Sequence, residues 1–282
     1  MKRLTVPAPA KLNLSLDIVG VREDGYHLLR MIMQTIDLCD QIVLERADEI
    51  SLTCNLPELP CDERNLAVRA AHAFFERTGL PGGVRMTLDK NIPHGAGMGG
   101  GSADAAAVLK GLNELCGTDL SQQELCEIGL RLGADVPFCI VGGTQLAEGV
   151  GERLTPLPPL PDCFLLVAKP EQGVSTPEAY HAYDRLTDVL HPDTAELTGL
   201  LSRGDLSGFC ARMENVLEPA VPLPEIQQIR AEMLAAGALG SRMTGSGSAV
   251  FGVFTQEQPA LVCKKNLKKR FSQVYLCRPC KN

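Results

Sequence analysis

Five glycines crowd into the seven positions 95–101, inside a stretch, 93–107, that reads PHGAGMGGGSADAAA. Each glycine loses more conformational freedom on folding than any other residue, so ordinary packing does not account for the cluster. What it provides is a backbone with no side chains in the way, leading through small residues into a helix. The unpaired N–H groups and positive dipole end of a helix N-terminus hold phosphate. Pro93, Gly95, Ala96, Gly97, Met98, Gly99, Gly100, Gly101 and Ser102 therefore form the candidate phosphate-binding set. Lys11 and Asn13 share one face of a strictly alternating run, KLNLSLDI, and Asp135 follows a helix end. A lone lysine on a strand is ordinarily solvated, and a lone aspartate after a helix is ordinarily a turn residue. Together they suit phosphoryl transfer, in which a carboxylate accepts the attacking hydroxyl's proton and an ammonium balances developing charge. Tyr26 and His27, just after a turn, suit a planar base by stacking and edge hydrogen bonds; a buried pair is the alternative.

Two standard phosphate folds are excluded. Gly95-x-Gly97-x-x-Gly100 formally fits a dinucleotide fingerprint, but that fold wants an acidic residue about 20 positions on, at a strand end. Asp119 stands near that distance, in a turn between two helices. No G-x-x-x-x-G-K-[ST] occurs anywhere in the chain, which removes the P-loop class.

The elements that must position these residues are legible from their periods. The alternating run predicts a half-buried strand, with Leu12, Leu14, Leu16 and Ile18 inward and Lys11, Asn13, Ser15 and Asp17 outward. Arg22 to Gly25 reads as a turn. A helix is expected over 65–78, stopped by Gly79, and a short strand at Val84, Met86 and Leu88. The next helix is expected over 102–116, ended by Gly117. Ser121 and Glu124 form a capping box for a further helix that closes at Gly133, and Pro137 blocks its continuation past Asp135. Pro156, Pro158, Pro159 and Pro161 mark a domain boundary, giving domains 1–157 and 158–282. The second half predicts strands at 164–168 and 249–254 and helices over 178–190 and 223–236. From Lys264 onward, basic residues interleaved with Leu267, Phe271 and Val274 predict a solvated helix face. The order of elements is α+β.

The 282 residues are 45% hydrophobic and 22% charged, ample for a core without staples. A formal charge of −7 disfavours nucleic acid as the main partner, which wants a basic face. No apolar run of signal or membrane-span length is present, so a cytoplasmic location and no membrane partner are expected. The 11 cysteines read as reduced core residues, among them Cys39, Cys126, Cys139 and Cys163. Cys277 and Cys280 lack a second pair at zinc spacing, since Cys54 and Cys61 are wrongly placed.

Three stretches carry a resemblance. The glycine loop is similar to the phosphate-binding motif of the GHMP superfamily of small-molecule kinases. Pro9-Ala-Lys-Leu-Asn13 resembles that superfamily's N-terminal motif, and Arg242-Met-Thr-Gly-Ser-Gly-Ser-Ala249 its C-terminal glycine motif. Within it, Gly25-Tyr-His27, Asp62-Glu-Arg-Asn65, Leu132-Gly-Ala-Asp-Val-Pro137 and Ala147-Glu-Gly-Val-Gly-Glu152 are similar to the diphosphocytidyl-methylerythritol kinases. The resemblance implies a two-domain fold, a ribosomal-protein-S5-like domain followed by a ferredoxin-like α/β sandwich, with the active site between them. It implies Asp135, Lys11 and Asn13 as the catalytic centre and Asn65 near adenine. Tyr26 and His27 would hold a cytosine, with Tyr180 covering its other face after the Thr176-Pro177 step. ATP and Mg²⁺ are the implied cofactors, and a cytidine-diphosphate polyol the implied acceptor, phosphorylated on its 2-hydroxyl in non-mevalonate isoprenoid synthesis. Many superfamily members place Ser-Ser where this chain has Gly100 and Gly101, with Ser102 one place later. That departure leaves the protein ligands of Mg²⁺ unassigned. The alternatives are a kinase for mevalonate or homoserine, a non-catalytic member that binds ATP and a sugar, and an RNA-binding module. The last is disfavoured by the acidic balance and the absence of tryptophan.

Overall fold

The alternating run at Lys11 lies within a much longer strand, β1 (Arg3–Val21), in the computed structural model, which describes residues 3–281. The expected half-burial is overturned: every residue from Ala10 to Ile18 is buried, Lys11, Asn13, Ser15 and Asp17 included. Their polar groups are satisfied inside the protein. Ser15 Oγ donates to the Glu214 carbonyl at 3.2 Å, and Asp17 Oδ1 pairs with His191 Nδ1 at 2.6 Å. Buried polar groups are tolerated when paired in this way.

The chain divides into two compact units, each drawn from several stretches. The first contains residues 3–10, Leu38–Ile92 and Gly99–Val141. Its elements are the start of β1, the end of β2 (His27–Ala47), β3 (Ser51–Cys54), α1 (Leu66–Thr78), β4 (Gly83–Asp89), α2 (Gly100–Cys116), α3 (Gln122–Leu132) and α4 (Val136–Val141). Gln41–Ala47 of β2 pairs antiparallel with β4, and β3 pairs parallel with β4 on its other side. Asn65 caps α1, its Oδ1 accepting from the Ala67 N–H at 3.0 Å, and Gly79 ends it in the left-handed region. The capping box of Ser121 and Glu124 opens α3. Helix α2 starts two residues earlier than expected, at Gly100. Helix α3 ends at Leu132 and does not run past Asp135; Pro137 sits in the first turn of a separate helix, α4, where its missing N–H costs nothing.

The second unit contains Lys11–Asp37, Pro93–Met98 and residues 142–281. It holds the rest of β1 and β2, then β5 (Thr144–Gly149), β6 (Arg153–Pro156), β7 (Phe164–Lys169), α5 (Thr176–Tyr183), α6 (Thr194–Ser202), α7 (Leu206–Arg212), α8 (Pro224–Ala235), β8 (Gly240–Met243), β9 (Val250–Phe254), α9 (Glu257–Leu267) and β10 (Gln273–Cys277). β5 pairs antiparallel with Leu29–Gln34 of β2, and β6 with β5. A four-stranded antiparallel sheet runs β10-β7-β9-β8, with α8 and α9 packed against it. All of β9 is buried, so its five residues carry no alternation.

The helix expected over 178–190 stops at Tyr183, with Asp184 as its cap and loop beyond. The basic stretch after Lys264 is not one helix face: α9 ends at Leu267, and Val274 is buried on β10. All 11 cysteines are free thiols, but Cys39 and Cys126 are only half-buried and Cys61 is exposed. Among the described residues no helix is long and apolar enough to cross a membrane.

Candidate active site

In the second unit, β1, the first half of the glycine loop and the turn after β8 meet backbone to backbone. The Lys11 N–H donates to the Met98 carbonyl at 3.1 Å, and the Ala249 N–H to the Ala96 carbonyl at 3.2 Å. The Asn13 N–H donates to Thr244 Oγ1 at 2.8 Å. Gly97 has φ +72°, and a Cβ there would overlap the Thr244 carbonyl oxygen. Gly245 has φ +57°, and its Cβ would stand 2.8 Å from the Gly97 carbonyl oxygen. No side chain fits either position, so the two glycine stretches require each other. Asn215 holds the turn from behind, its Nδ2 donating to the carbonyls of Met243 and Gly245 at 2.8 and 2.9 Å. Above this backbone, Lys11 Nζ donates to Asn13 Oδ1 at 2.6 Å, both side chains being buried. Thr176 Oγ1 lies 2.9 Å from Ser246 Oγ, tying the start of α5 to the same turn.

A second cluster in this unit surrounds His27. Its ring stacks on Tyr180 with centroids 4.9 Å apart and planes at 29°, and meets Tyr183 edge-on at 6.2 Å. Its Nε2 lies 2.7 Å from Asp184 Oδ1. Tyr26 is exposed, with the Arg22 guanidinium 5.5 Å from its ring centroid.

In the first unit, α2 is preceded by Gly99 in the left-handed region, with no side chain capping its first turn and no acidic residue within it. The bonds made by that turn start with the Ala103 N–H, which donates to the Gly99 carbonyl at 2.8 Å. The N–H groups before it belong to the part of a helix that has no intrahelical partner. Gly101 faces Leu66, beside the Asn65 cap; a Cβ on it would lie 3.4 Å from Leu66 Cδ1. Asn65 is engaged in structure, its Nδ2 donating to the Pro60 carbonyl at 2.8 Å. A Cβ on Gly133 would lie 3.9 Å from Ser102 Oγ, so the segment leading to Asp135 runs beside the first turn of α2. Asp135 opens α4, its carbonyl accepting from the Cys139 N–H at 3.1 Å.

Beneath this turn lies a buried charge cluster. Lys90 Nζ donates to Asp40 and, at 2.7 Å, to Asp104 Oδ2. Asp40 Oδ1 also accepts the N–H groups of Asn91 and Ile92. Asp104 Oδ1 is buried without a hydrogen-bond partner. Burial pushes the Asp104 carboxyl up to about 7, against the pull of Lys90 and with help from the Asp40 charge. Burial opposes the Lys90 charge, but Asp104 and Asp40 outweigh it and hold its affinity for a proton above the ordinary value.

The family model for the GHMP kinases N terminal domain matches residues 65–143, and that for the GHMP kinases C terminal matches residues 193–273. A 4-diphosphocytidyl-2-C-methyl-D-erythritol kinase of Clostridium tetani is 46% identical over 98% of this chain and 99% of its own length. The chain belongs to the GHMP kinases. A crystal structure of a 4-(cytidine 5'-diphospho)-2C-methyl-D-erythritol kinase superposes with a TM-score of 0.84 at 36% identity, covering 99% of this chain and all of that one. A homoserine kinase from Cytophaga hutchinsonii shares the fold at TM-score 0.77 and 24% identity, over 98% of this chain and 95% of its own.

In this GHMP kinase the N-terminal family segment contains Asn65, the glycine loop and Asp135, and the C-terminal segment contains the Thr244 turn. Lys11, Asn13, Tyr26, His27, Thr176 and Tyr180 lie outside both segments and inside the span shared with the Clostridium tetani relative. The structure brings Lys11, Asn13, Ala96 to Met98 and Thr176 to one turn, and pairs His27 with Tyr180. Sequence reasoning passed over Asp184 and the Lys90 cluster. The signal for the cluster was available: Asp104 is an acidic residue set among alanines in the first turns of α2.

Proposed function

We propose that this GHMP kinase transfers the γ-phosphoryl group of ATP to the 2-hydroxyl of 4-diphosphocytidyl-2-C-methyl-D-erythritol, a step of non-mevalonate isoprenoid precursor synthesis. The observation that carries the acceptor is 46% identity, along nearly the whole of both chains, to a kinase of that name. The geometry supports it. The N–H groups at the start of α2 and the side-chain-free loop 95–101 receive the triphosphate, whose charge the helix dipole favours. Asp135 orients the acceptor hydroxyl and takes its proton as the new oxygen–phosphorus bond forms and the bond to the leaving ADP breaks. Lys11, steadied by Asn13, balances the charge that develops on the transferring group. His27, Tyr180 and Tyr26 receive the cytosine, and Asn65 lies toward adenine. The Pro-rich stretch after β6 falls between the two family segments, which supports functional domains 1–157 and 158–282.

Mg²⁺ is proposed as the nucleotide's companion. Among the described residues no group of three or more His, Cys, Asp or Glu could hold a metal, and the Asp40 and Asp104 carboxylates are engaged by Lys90. That donor set fits an ion carried on the phosphates with its own waters. There it would neutralise phosphate charge.

The test is ATP turnover with this acceptor, for the wild type and Asp135→Asn. Strong wild-type turnover that falls about 1,000-fold in the variant is expected, the scale of losing a positioned general base. Turnover on mevalonate or homoserine alone would sink the acceptor. Full activity in Asp135→Asn would remove the base.

A further inference from the structure

His27 is held on three sides by residues of one short segment. Tyr180 covers its face, Tyr183 meets its edge, and Asp184, the cap of α5, binds its Nε2. His27 and Asp184 lie 157 positions apart in the chain. The imidazole side chain is 14% exposed, whereas the Asp184 side chain is 46% exposed. The carboxylate therefore keeps a place in water and still points one oxygen at the ring.

An ionised carboxylate only accepts hydrogen bonds, so the Nε2 it touches must carry the proton. In a neutral imidazole the other nitrogen, Nδ1, is then left with a lone pair. Which bases such a ring accepts follows from donor and acceptor patterns. Cytosine presents an exocyclic amine, a donor that an Nδ1 lone pair receives. Uracil presents a carbonyl oxygen at the same place, and two lone pairs then face each other. The opposite tautomer, with the proton on Nδ1, would reverse the preference. We propose that Asp184 is a positioning residue for base selection: by fixing the Nε2–H tautomer of His27, it makes this kinase select an amino-bearing pyrimidine over its oxo counterpart. This rests on the cytidine-diphosphate acceptor of the preceding section.

Asp184 acts through His27, so its removal alters recognition of one substrate and leaves the chemistry in place. Asp184→Ala is expected to raise KM for the cytidine acceptor about 10-fold, with kcat within about 2-fold, as for loss of one recognition hydrogen bond. The KM for ATP is expected to stay at its wild-type value. The decisive reading is the ratio of kcat/KM for the cytidine acceptor to that for the same compound carrying uridine. It is expected to fall at least about 10-fold in Asp184→Ala, because the ring is then free to take either tautomer. In Asp184→Asn the amide can accept from Nε2 or donate to it, so an intermediate ratio is expected. A second measurement needs no turnover. The ¹⁵N shifts of His27, assigned by comparison with His27→Gln, should report Nε2 protonated and Nδ1 bare in the wild type, and a tautomer mixture in Asp184→Ala. An unchanged ratio in Asp184→Ala would overturn the proposal and leave the acceptor standing, as would a wild-type ring protonated on Nδ1 alone. A wild type that ignores the cytidine acceptor but phosphorylates another alcohol would overturn the acceptor, and this inference with it.

Discussion

The glycine loop has two halves, and they are built on different principles. In the first, residues 93–98, glycine is required by the protein itself: Gly97 lies against the carbonyl of Thr244, and Gly245 lies against Gly97 in return. In the second, residues 99–102, no backbone presses on Gly100 or Gly101. A Cβ on Gly100 would meet Lys90 Nζ at 3.2 Å and Ile92 Cγ2 at 3.3 Å, and one on Gly101 would meet only Leu66 Cδ1. The first half is fixed by packing. The second is open at its N–H groups and underlain by a charge cluster. The phosphate-binding role proposed for the loop would use both features, a rigid anchor and an end with open N–H groups.

Replacing Gly97 with alanine should have the largest effect. The new Cβ would overlap the Thr244 carbonyl oxygen, and φ +72° is itself unfavourable for any residue with a side chain. Relief requires the loop to move away from the Thr244 turn by a sizeable part of an ångström. A shift of that size at a positioning element costs about 100-fold in kcat/KM. Gly245→Ala attacks the same contact from the other side and should produce a similar loss. Equal losses would show one backbone joint. A large effect of Gly97→Ala with Gly245→Ala within about 3-fold of wild type would break the comparison, because the second stretch would then be dispensable as an anchor.

The charge cluster under the second half makes a smaller prediction, and one with a sign. Asp104 binds its proton more tightly in the folded protein, up to about 7, because it is buried beside Asp40 with one oxygen unpartnered. The stability linked to this proton is fully present below the unfolded value, near pH 4, and is lost as pH rises through about 7. Between these two values the stability falls steadily as pH rises. The charged groups facing Asp104 are Lys90 and Asp40, with the Cys54 thiol at the edge of the cluster. Lys90 keeps its charge across this range, since its own affinity for a proton is raised. Asp104→Asn imitates the protonated carboxyl, so its melting temperature should change less than the wild type's between pH 5 and 8. Parallel melting curves for the two proteins would place the titration elsewhere.

What the sequence disclosed follows the same division. Several local signals were read correctly where the cause lies within a few residues. The capping box at Ser121, the stop at Gly79 and the entry of small residues into α2 are examples. The close backbone approach in the loop has a local sign too, since five clustered glycines have few physical explanations. Long-range pairing left no trace. Nothing in the period of β1 reveals that its polar face is covered, because its partners Glu214 and His191 come from distant stretches. The run after Tyr180 kept enough apolar residues to suggest a longer helix. The chain instead turns at Asp184, with the Leu186 N–H donating to the Tyr183 carbonyl at 2.9 Å. Asp184 and Lys90 were missed as functional candidates because their meaning comes from His27 and Asp40, across 157 and 50 positions.

The smallest prediction separates what the fold needs from what a ligand needs. Gly101 is exposed, lies in the first turn of α2 with no left-handed φ, and has room for a methyl group against Leu66. Alanine is the better helix former, so Gly101→Ala should leave the folded protein unharmed or stabilise it by up to about 1 kcal/mol. Glycine at such a position is a sacrifice of stability, and it makes sense only if something other than protein must come close to that backbone. The variant should therefore melt no lower than the wild type while its KM for ATP rises about 5-fold, the modest cost of a methyl group held against a phosphate. An unchanged KM would mean that nucleotide does not approach Gly101, and the open half of the loop would shrink to Gly99 and Gly100. A lowered melting temperature would mean that the second half, like the first, is glycine for the sake of packing.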